Sequence, residues 1–315
     1  MGYSFMKLLF NCPSDRLSGK RWLRWLSLAG AILGYSATAQ PEVPTDIWGE
    51  VQVYKEVDGR ELRVWVTQSE VTADAAPRPV IIFFHGGGWV GGSPSVFNEQ
   101  SAYFSSRGMV CVNVEYRMLD RKVPDPPLIC IQDAKSAIRW IRIHAREFGA
   151  DPDRIASFGA SAGGHLAAVV GMSDGFDDPN DDLGVSAQSQ AMLMLNPVIH
   201  NGPGPEGYGY KRIAEEYEQY SPFHYDKTGA PPGIIFIGTR DRLIPLDMIL
   251  EFKRSMEWAG ARCDVEVYYD EDHSFFNERN ADGRYFYLTT IAADRFLASL
   301  GWLEGPPTLS VLEGL

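Results

Sequence analysis

Five short, nearly unbroken apolar runs limit what this chain can fold into: residues 80–84, 110–114, 155–158, 192–195 and 234–237. Runs of that length without polar alternation fit strands buried on both faces of a parallel sheet. Helical patterns lie between or after them, at 96–107, 131–148, 165–170 and 246–259. A strand at 265–269 and a helix at 288–300 close the series. Ahead of it, two half-buried strands at 51–57 and 61–67 flank the turn signal Asp58-Gly59. The alternation predicts an α/β fold, a doubly wound and mostly parallel sheet with antiparallel N-terminal strands.

With 315 residues, 45% of them hydrophobic, the chain suits one large domain, expected over residues 40–315. One stretch interrupts the alternation. Residues 197–232, rich in Gly, Pro and Tyr, are too long for an ordinary loop and read as a lid insertion.

Residues 1–39 differ in kind. Lys7, Arg16, Lys20, Arg21 and Arg24 precede an apolar run at 25–37, which ends in Ala37-Thr38-Ala39. That order is the one a secretory signal peptide shows, so a periplasmic or secreted protein is expected, with no membrane association after cleavage. An uncleaved anchor is the alternative. No apolar stretch approaches the roughly 18 to 20 residues of a bilayer span. The formal net charge of −12 argues against nucleic acid as a partner. Cys12 leaves with the leader; Cys111, Cys130 and Cys263 remain, allowing at most one disulfide.

Chemistry enters with Gly159-Ala160-Ser161-Ala162-Gly163, between the run at 155–158 and a helical pattern. A serine on a tight strand-to-helix turn exposes its hydroxyl, and flanking glycines let the backbone turn without a Cβ clash. Ser161 is therefore the expected nucleophile. A second motif, His85-Gly86-Gly87-Gly88-Trp89, follows the run at 80–84. Three consecutive glycines can bring backbone N–H groups close to a ligand, as an oxyanion hole requires.

In this order, the two motifs resemble those of α/β-hydrolase esterases of the hormone-sensitive-lipase-like and acetyl-(xylan-)esterase type. Glu115-Tyr116-Arg117 and Gln132-Asp133-Ala134 extend the resemblance, which runs from about residue 51 to residue 300. It implies an α/β-hydrolase fold and a Ser-Asp-His order. Asp241, after the run at 234–237, would be the acid, and His273, after the last strand, the base. Asp270, Glu271 and Asp272 remain alternatives for the acid. The N–H groups of Gly87, Gly88 and Ala162 would bind the oxyanion, and His85 would brace the glycine loop.

The implied activity is carboxylic-ester hydrolysis through an acyl-enzyme, on a small-molecule or oligosaccharide ester and with no cofactor. Short-acyl, acetyl-type esters of carbohydrates are expected from three features: the leader, an open cleft, and tyrosines 208, 210, 217, 220 and 225 in the insertion. Trp89, Tyr208 and Tyr210 are the candidate substrate contacts. Rival expectations are a general short-chain carboxylesterase, a feruloyl-type esterase, a prolyl-oligopeptidase-like peptidase and a non-catalytic module on the same fold. His165, four residues into the helix after Ser161, is expected to pack inward. Asp133 is expected to order the chain near Arg117. The acidic stretch at 174–182 is expected to be a solvated loop; calcium binding is the alternative, although the alternating-ligand pattern is missing. No zinc motif or other metal site is expected.

Overall fold

A computed structural model describes residues 42–70 and 76–309. The leader at 1–39, with Cys12, lies outside the described residues. Glu50–Val57 (β1) and Arg60–Thr67 (β2) pair antiparallel across a turn in which Asp58 and Gly59 both take positive φ. Six more strands follow: Arg78–Phe84 (β3), Val110–Val114 (β4), Ala150–Ala160 (β5), Ala191–Leu195 (β6), Gly233–Gly238 (β7) and Cys263–Tyr268 (β8). They form one sheet in the order β1-β2-β4-β3-β5-β6-β7-β8. β2 meets β4 antiparallel, and every pairing from β4 to β8 is parallel.

The helices are Asn98–Ser106 (α1), Leu128–Ile143 (α2), Ala162–Met172 (α3), the single turns Tyr210–Ile213 (α4) and Tyr217–Tyr220 (α5), Leu246–Trp258 (α6) and Arg284–Ser299 (α7). Period-2 alternation along each strand divides the core in two. Val80, Ile82 and Phe84 share one cluster with Ile131 and Ile138 of α2, Leu166 and Val169 of α3, and Phe252 of α6. Ile81 and Phe83 point the other way, into a cluster with Phe104 of α1 and Phe296 and Leu297 of α7. Complete burial of each such side chain is worth about 1.5–3 kcal/mol, so the central strands owe their place to both helical layers.

β3 lies between β4 and β5, so the winding direction reverses across it. A crevice opens at such a reversal, beyond the carboxyl ends of the strands. His85 and Ser161 are the residues that follow the ends of β3 and β5.

Several elements differ from expectation. The helix expected over 131–148 stops at Ile143, and a 3-10 turn, Ala145–Phe148, carries the chain to Gly149 in the left-handed region. His144 ends the helix locally: its ring Nδ1 lies 2.8 Å from the carbonyl of Trp140. α3 is longer than 165–170 and begins immediately after Ser161. Cys111, Cys130 and Cys263 are buried free thiols on separate elements, with no disulfide among the described residues. Burial pushes the Cys263 thiol up to about 12. No described helix is long and apolar enough to cross a membrane.

The acidic stretch is solvated only in part: Asp174 and Asp182 are exposed, whereas the other three acids are paired. Asp177 pairs with Lys135 and Arg139 at 3.0 and 2.6 Å, Asp178 with Lys55 at 2.7 Å, and Asp181 with Arg139 at 3.0 Å. Asp133 anchors the same network, accepting from Lys55 and from both the backbone and the guanidinium of Arg117. Those carboxylates ground β1 and α2, and basic side chains occupy their oxygens. Among the described residues, no group of three or more His, Cys, Asp or Glu is placed to hold a metal.

Candidate active site

The turn at Ser161 begins with a sterically forced close approach. A Cβ on Gly163 would lie 1.9 Å from the carbonyl oxygen of Phe84, and one on Gly159 would lie 2.0 Å from that of Gly163. Only glycine lets α3 start this close to the end of β3. Ser161 itself sits at φ 54°, ψ −117°, a conformation that costs a residue with a side chain about 1–3 kcal/mol. Its N–H donates to Leu195 O at 2.8 Å, and its carbonyl accepts from Val198 N at 3.1 Å. The strained turn is thus clamped from β6.

His273 reaches Ser161 from the segment after β8, with Nε2 2.9 Å from Oγ. Its Nδ1 lies 2.7 Å from Asp241 Oδ2. Asp241 Oδ1 accepts the N–H groups of Leu243 and Ile244 at 2.8 and 2.9 Å, and Oδ2 also accepts Asn196 Nδ2 at 3.0 Å. Burial alone would raise the Asp241 carboxyl. The hydrogen bond and charge of His273, with the two N–H groups, outweigh it and hold the carboxyl below the usual carboxylate range. Of the four acids named from sequence, Asp241 is the one in contact with the imidazole. Asp270 N bonds Thr239 Oγ1, and Glu271 O accepts from Arg240 N.

His85 braces the glycine loop. Its Nδ1 lies 2.8 Å from Gly86 O, its carbonyl accepts from Tyr116 at 2.8 Å, and its ring stacks on Tyr116. Burial pushes its pKa down to about 4, so the ring is neutral and Nδ1–H is the donor to Gly86. The loop folds back on itself: a Cβ on Gly87 would meet Gly91 O at 2.1 Å, and one on Gly92 would meet Gly86 O at 2.2 Å. Among the described residues no acceptor takes the N–H of Gly87, Gly88 or Ala162. These are unpaired donors beside an activated hydroxyl, which suits them to developing negative charge.

A cleft of about 770 Å³ opens over Ser161 and His273. Residues 197–232 contribute only Tyr208 to its lining; its hydroxyl is 2.9 Å from where a Cβ on Gly88 would be. The expected contacts Trp89 and Tyr210 are elsewhere. Trp89 is 1% exposed, packed against His165 and behind Tyr208. The tight turn of the glycine loop sends its indole inward, at φ 62°. Tyr210 packs on Tyr217 and bonds Glu215, away from the cleft. Tyr220 is buried on Phe176, and its carbonyl takes the buried His165 Nε2 at 2.7 Å. The insertion is thus held at several places: by His165 of α3, by Phe176, by Phe252 of α6 under Lys227, and by the carbonyls of Asp120 and Val123 that accept from Arg212. Tyr208 is its contribution to the cleft.

The other walls were not legible as site residues. Trp48, 46% exposed, lines the cleft from the irregular lead at 42–49, ahead of β1, which Asn98 pins through Trp48 N and Asp46 O. Glu99 and Gln100 of α1, and Asn277, Glu278, Arg279 and Asn280 after His273, complete that arm. Asn196 also escaped sequence reasoning. Its position directly beyond the carboxyl end of a parallel strand was the available signal.

The BD-FAE family model matches residues 70–203. Esterase LipC of Mycobacterium tuberculosis is 27% identical over 220 residues, 64% of this chain and 53% of that protein. The probable isoprenylcysteine alpha-carbonyl methylesterase ICMEL1 of Arabidopsis thaliana is 28% identical over 221 residues, 63% of this chain and 46% of that protein. The chain spans about half the length of these curated relatives. Among solved structures, the apo form of Thermogutta terrifontis esterase 2 is 39% identical, with a TM-score of 0.78, and the match covers 83% of this chain and 98% of that one. Its butyrate-bound form matches at 38% identity and a TM-score of 0.77, covering 83% and 98%. The form phosphorylated by paraoxon matches at 39% and 0.75, covering 81% and 95%.

Proposed function

The chain belongs to the α/β-hydrolase esterases, and on that premise we propose that it hydrolyses carboxylic esters through an acyl-enzyme on Ser161. The observation that carries this reading is the unbroken hydrogen-bonded chain from Ser161 Oγ through His273 to Asp241. Neutral His273 takes the hydroxyl proton at Nε2 as Oγ bonds to the ester carbonyl carbon. The carbonyl oxygen becomes an oxyanion, held by the N–H groups of Gly87, Gly88 and Ala162. Collapse breaks the bond to the alcohol oxygen, which leaves with the proton from His273. Water then repeats the sequence on the acyl-enzyme and releases the acid. Asp241 keeps the imidazole in the tautomer with the proton on Nδ1 and stabilises the imidazolium.

The finer reading is a short acyl group on a carbohydrate alcohol, met in the periplasm or outside the cell after export through the leader at 1–39. The relative Thermogutta esterase 2 has been solved with propionate and with butyrate bound, which supports a short acyl group. Support for the alcohol part comes from the polar arm of the cleft. The amide nitrogens of Asn277 and Asn280 each give one N–H to Ser274 O, which leaves a second N–H and the side-chain oxygen of each for an alcohol's hydroxyls. Glu99 and Glu278 add carboxylates, and Trp48 adds a flat indole face. An arm of amides, carboxylates and the Arg279 guanidinium beside an aromatic face suits a polyhydroxylated alcohol, whose hydroxyls both donate and accept. A general short-chain carboxylesterase is the second reading, favoured by the breadth of the cleft.

The test has two parts. Paraoxon should label Ser161 and abolish turnover of p-nitrophenyl butyrate; an active, unlabelled protein removes the mechanism. Acetate release from acetylated oligosaccharides should then exceed hydrolysis of octanoyl and feruloyl esters. Preference for octanoyl esters with acetylated sugars untouched leaves the general carboxylesterase.

A further inference from the structure

We propose that Asn196 is a positioning residue for this site, its side-chain amide fixing the Asp241 carboxylate that orients His273. The inference rests on the reading of Ser161, His273 and Asp241 given above.

Asn196 Nδ2 donates to the same oxygen of Asp241 that receives His273 Nδ1–H. Leu243 and Ile244 hold the other oxygen. Without Asn196 the Oδ2 side of the carboxylate would be held only by His273, the ring it has to orient; with it, that oxygen has a second partner anchored independently of the ring.

Three observations tie the residue to this role and not to packing. Asn196 is fully buried, and its Oδ1 has no partner among the described residues. A buried amide that leaves its acceptor unpaired is retained for its donor. The orientation is chemically determined, because a flipped amide would set its oxygen against the carboxylate. The backbone is specialised as well: Asn196 lies at φ 45°, where Asn and Gly are the tolerated residues. Its N–H donates to Phe236 O at 2.8 Å, and the carbonyl of the preceding Leu195 accepts Ser161 N–H. One short segment after β6 therefore holds the nucleophile through its backbone and the acid through its side chain.

Two variants separate donor from shape. Asn196→Gly keeps the left-handed backbone and loses the amide. Its kcat should fall about tenfold with KM little changed, since the lost bond acts on orientation alone. Asn196→Asp keeps the shape and replaces the donor with a second carboxylate. The pair can restore a hydrogen bond only while it shares a proton. Activity of Asn196→Asp should therefore decline toward alkaline pH, where the parent enzyme stays on a plateau. His85, Tyr208, Glu99, Glu278 and Arg279 line the cleft with His273, and Asp272 precedes it in the chain. None of them changes in either variant, so the difference between profiles belongs to position 196.

The measurement is kcat and KM for p-nitrophenyl butyrate from pH 5 to 9, with thermal unfolding alongside. Parent-like kcat in Asn196→Gly, or a parent-like alkaline plateau in Asn196→Asp, overturns the proposal whatever happens to Tm. If Asn196→Gly does not fold, the shape-preserving Asn196→Asp decides. Failure of paraoxon to label Ser161 in the parent protein would instead remove the underlying reading.

Discussion

His273 Nε2 stands 2.9 Å from Ser161 Oγ although 112 positions separate the two residues in the chain. The parallel sheet brings them together, since both follow the carboxyl ends of strands that share it. Ser161→Ala and His273→Ala should each lower kcat by about 10⁶, and Asp241→Asn by about 10⁴, the scale seen where three groups act as a unit. Steady-state kinetics on p-nitrophenyl butyrate checks this. Near-normal turnover in Asp241→Asn, with loss in a variant of Asp270, Glu271 or Asp272, would reassign the acid.

Gly163→Ala should destroy the turn. Its methyl group would need the space 1.9 Å from Phe84 O, and the atoms it meets, in Phe84 and His85, are all backbone, which cannot rotate aside. The expected cost is at least about 3 kcal/mol, with activity lost even in protein that still folds. Thermal unfolding and turnover together test it; a stable, active Gly163→Ala would mean α3 does not start so close to β3.

Acid should weaken the fold before it reaches the carboxylates. Burial pushes His85 and His165 down to about 4. The unfolded chain binds those protons near pH 6.5, so stability falls as pH drops from there toward 4, by about 1.4 kcal/mol per unit for each histidine. Asp241, held low in the folded state, adds a loss of the same sign as pH falls further through the carboxylate range. Melting temperature should thus be lower at pH 5 than at pH 7, and His165→Gln should flatten the slope. Equal melting temperatures at both values would contradict the burial.

Two tryptophans should behave oppositely. Trp89→Ala empties a core position and should cost about 3–5 kcal/mol of stability. Trp48→Ala, at the exposed rim, should leave Tm and p-nitrophenyl acetate hydrolysis near the parent values while raising KM for acetylated oligosaccharides several-fold. An unchanged KM for those oligosaccharides would remove Trp48 from the alcohol side of the cleft.

Calcium and chelators should leave Tm unchanged. Lys55, Lys135 and Arg139 already occupy Asp177, Asp178 and Asp181. By contrast, Asp133→Asn strips a fully buried carboxylate from Lys55 and Arg117 and should cost about 3–5 kcal/mol. A calcium-dependent rise in Tm would show that the acidic stretch opens in solution.

Local sequence determined what depends on a few neighbouring residues. Apolar runs at 80–84, 110–114, 155–158, 192–195 and 234–237 marked the central strands, because burial on both faces leaves no room for polar alternation. Gly159 and Gly163 marked the turn at Ser161, because only glycine survives there. Side-chain direction was another matter. Trp89 stands next to the glycine loop in sequence, yet the loop's own positive-φ turn sends the ring into the core. The insertion tyrosines had the composition of a sugar platform, but Tyr220 packs on Phe176 and Tyr210 on Tyr217, and of the five Tyr208 meets the cleft. The pairing of Asp177, Asp178 and Asp181 was hidden because their cations, Lys55, Lys135 and Arg139, lie far away in sequence. Trp48, Gln100 and Asn196 carried no motif at all; they belong to the site only because β5, β6, α1 and the irregular lead converge on one crevice. Backbone constraints are written within a few residues of where they act, whereas a cleft is made of contacts between distant segments, and only the assembled sheet decides those.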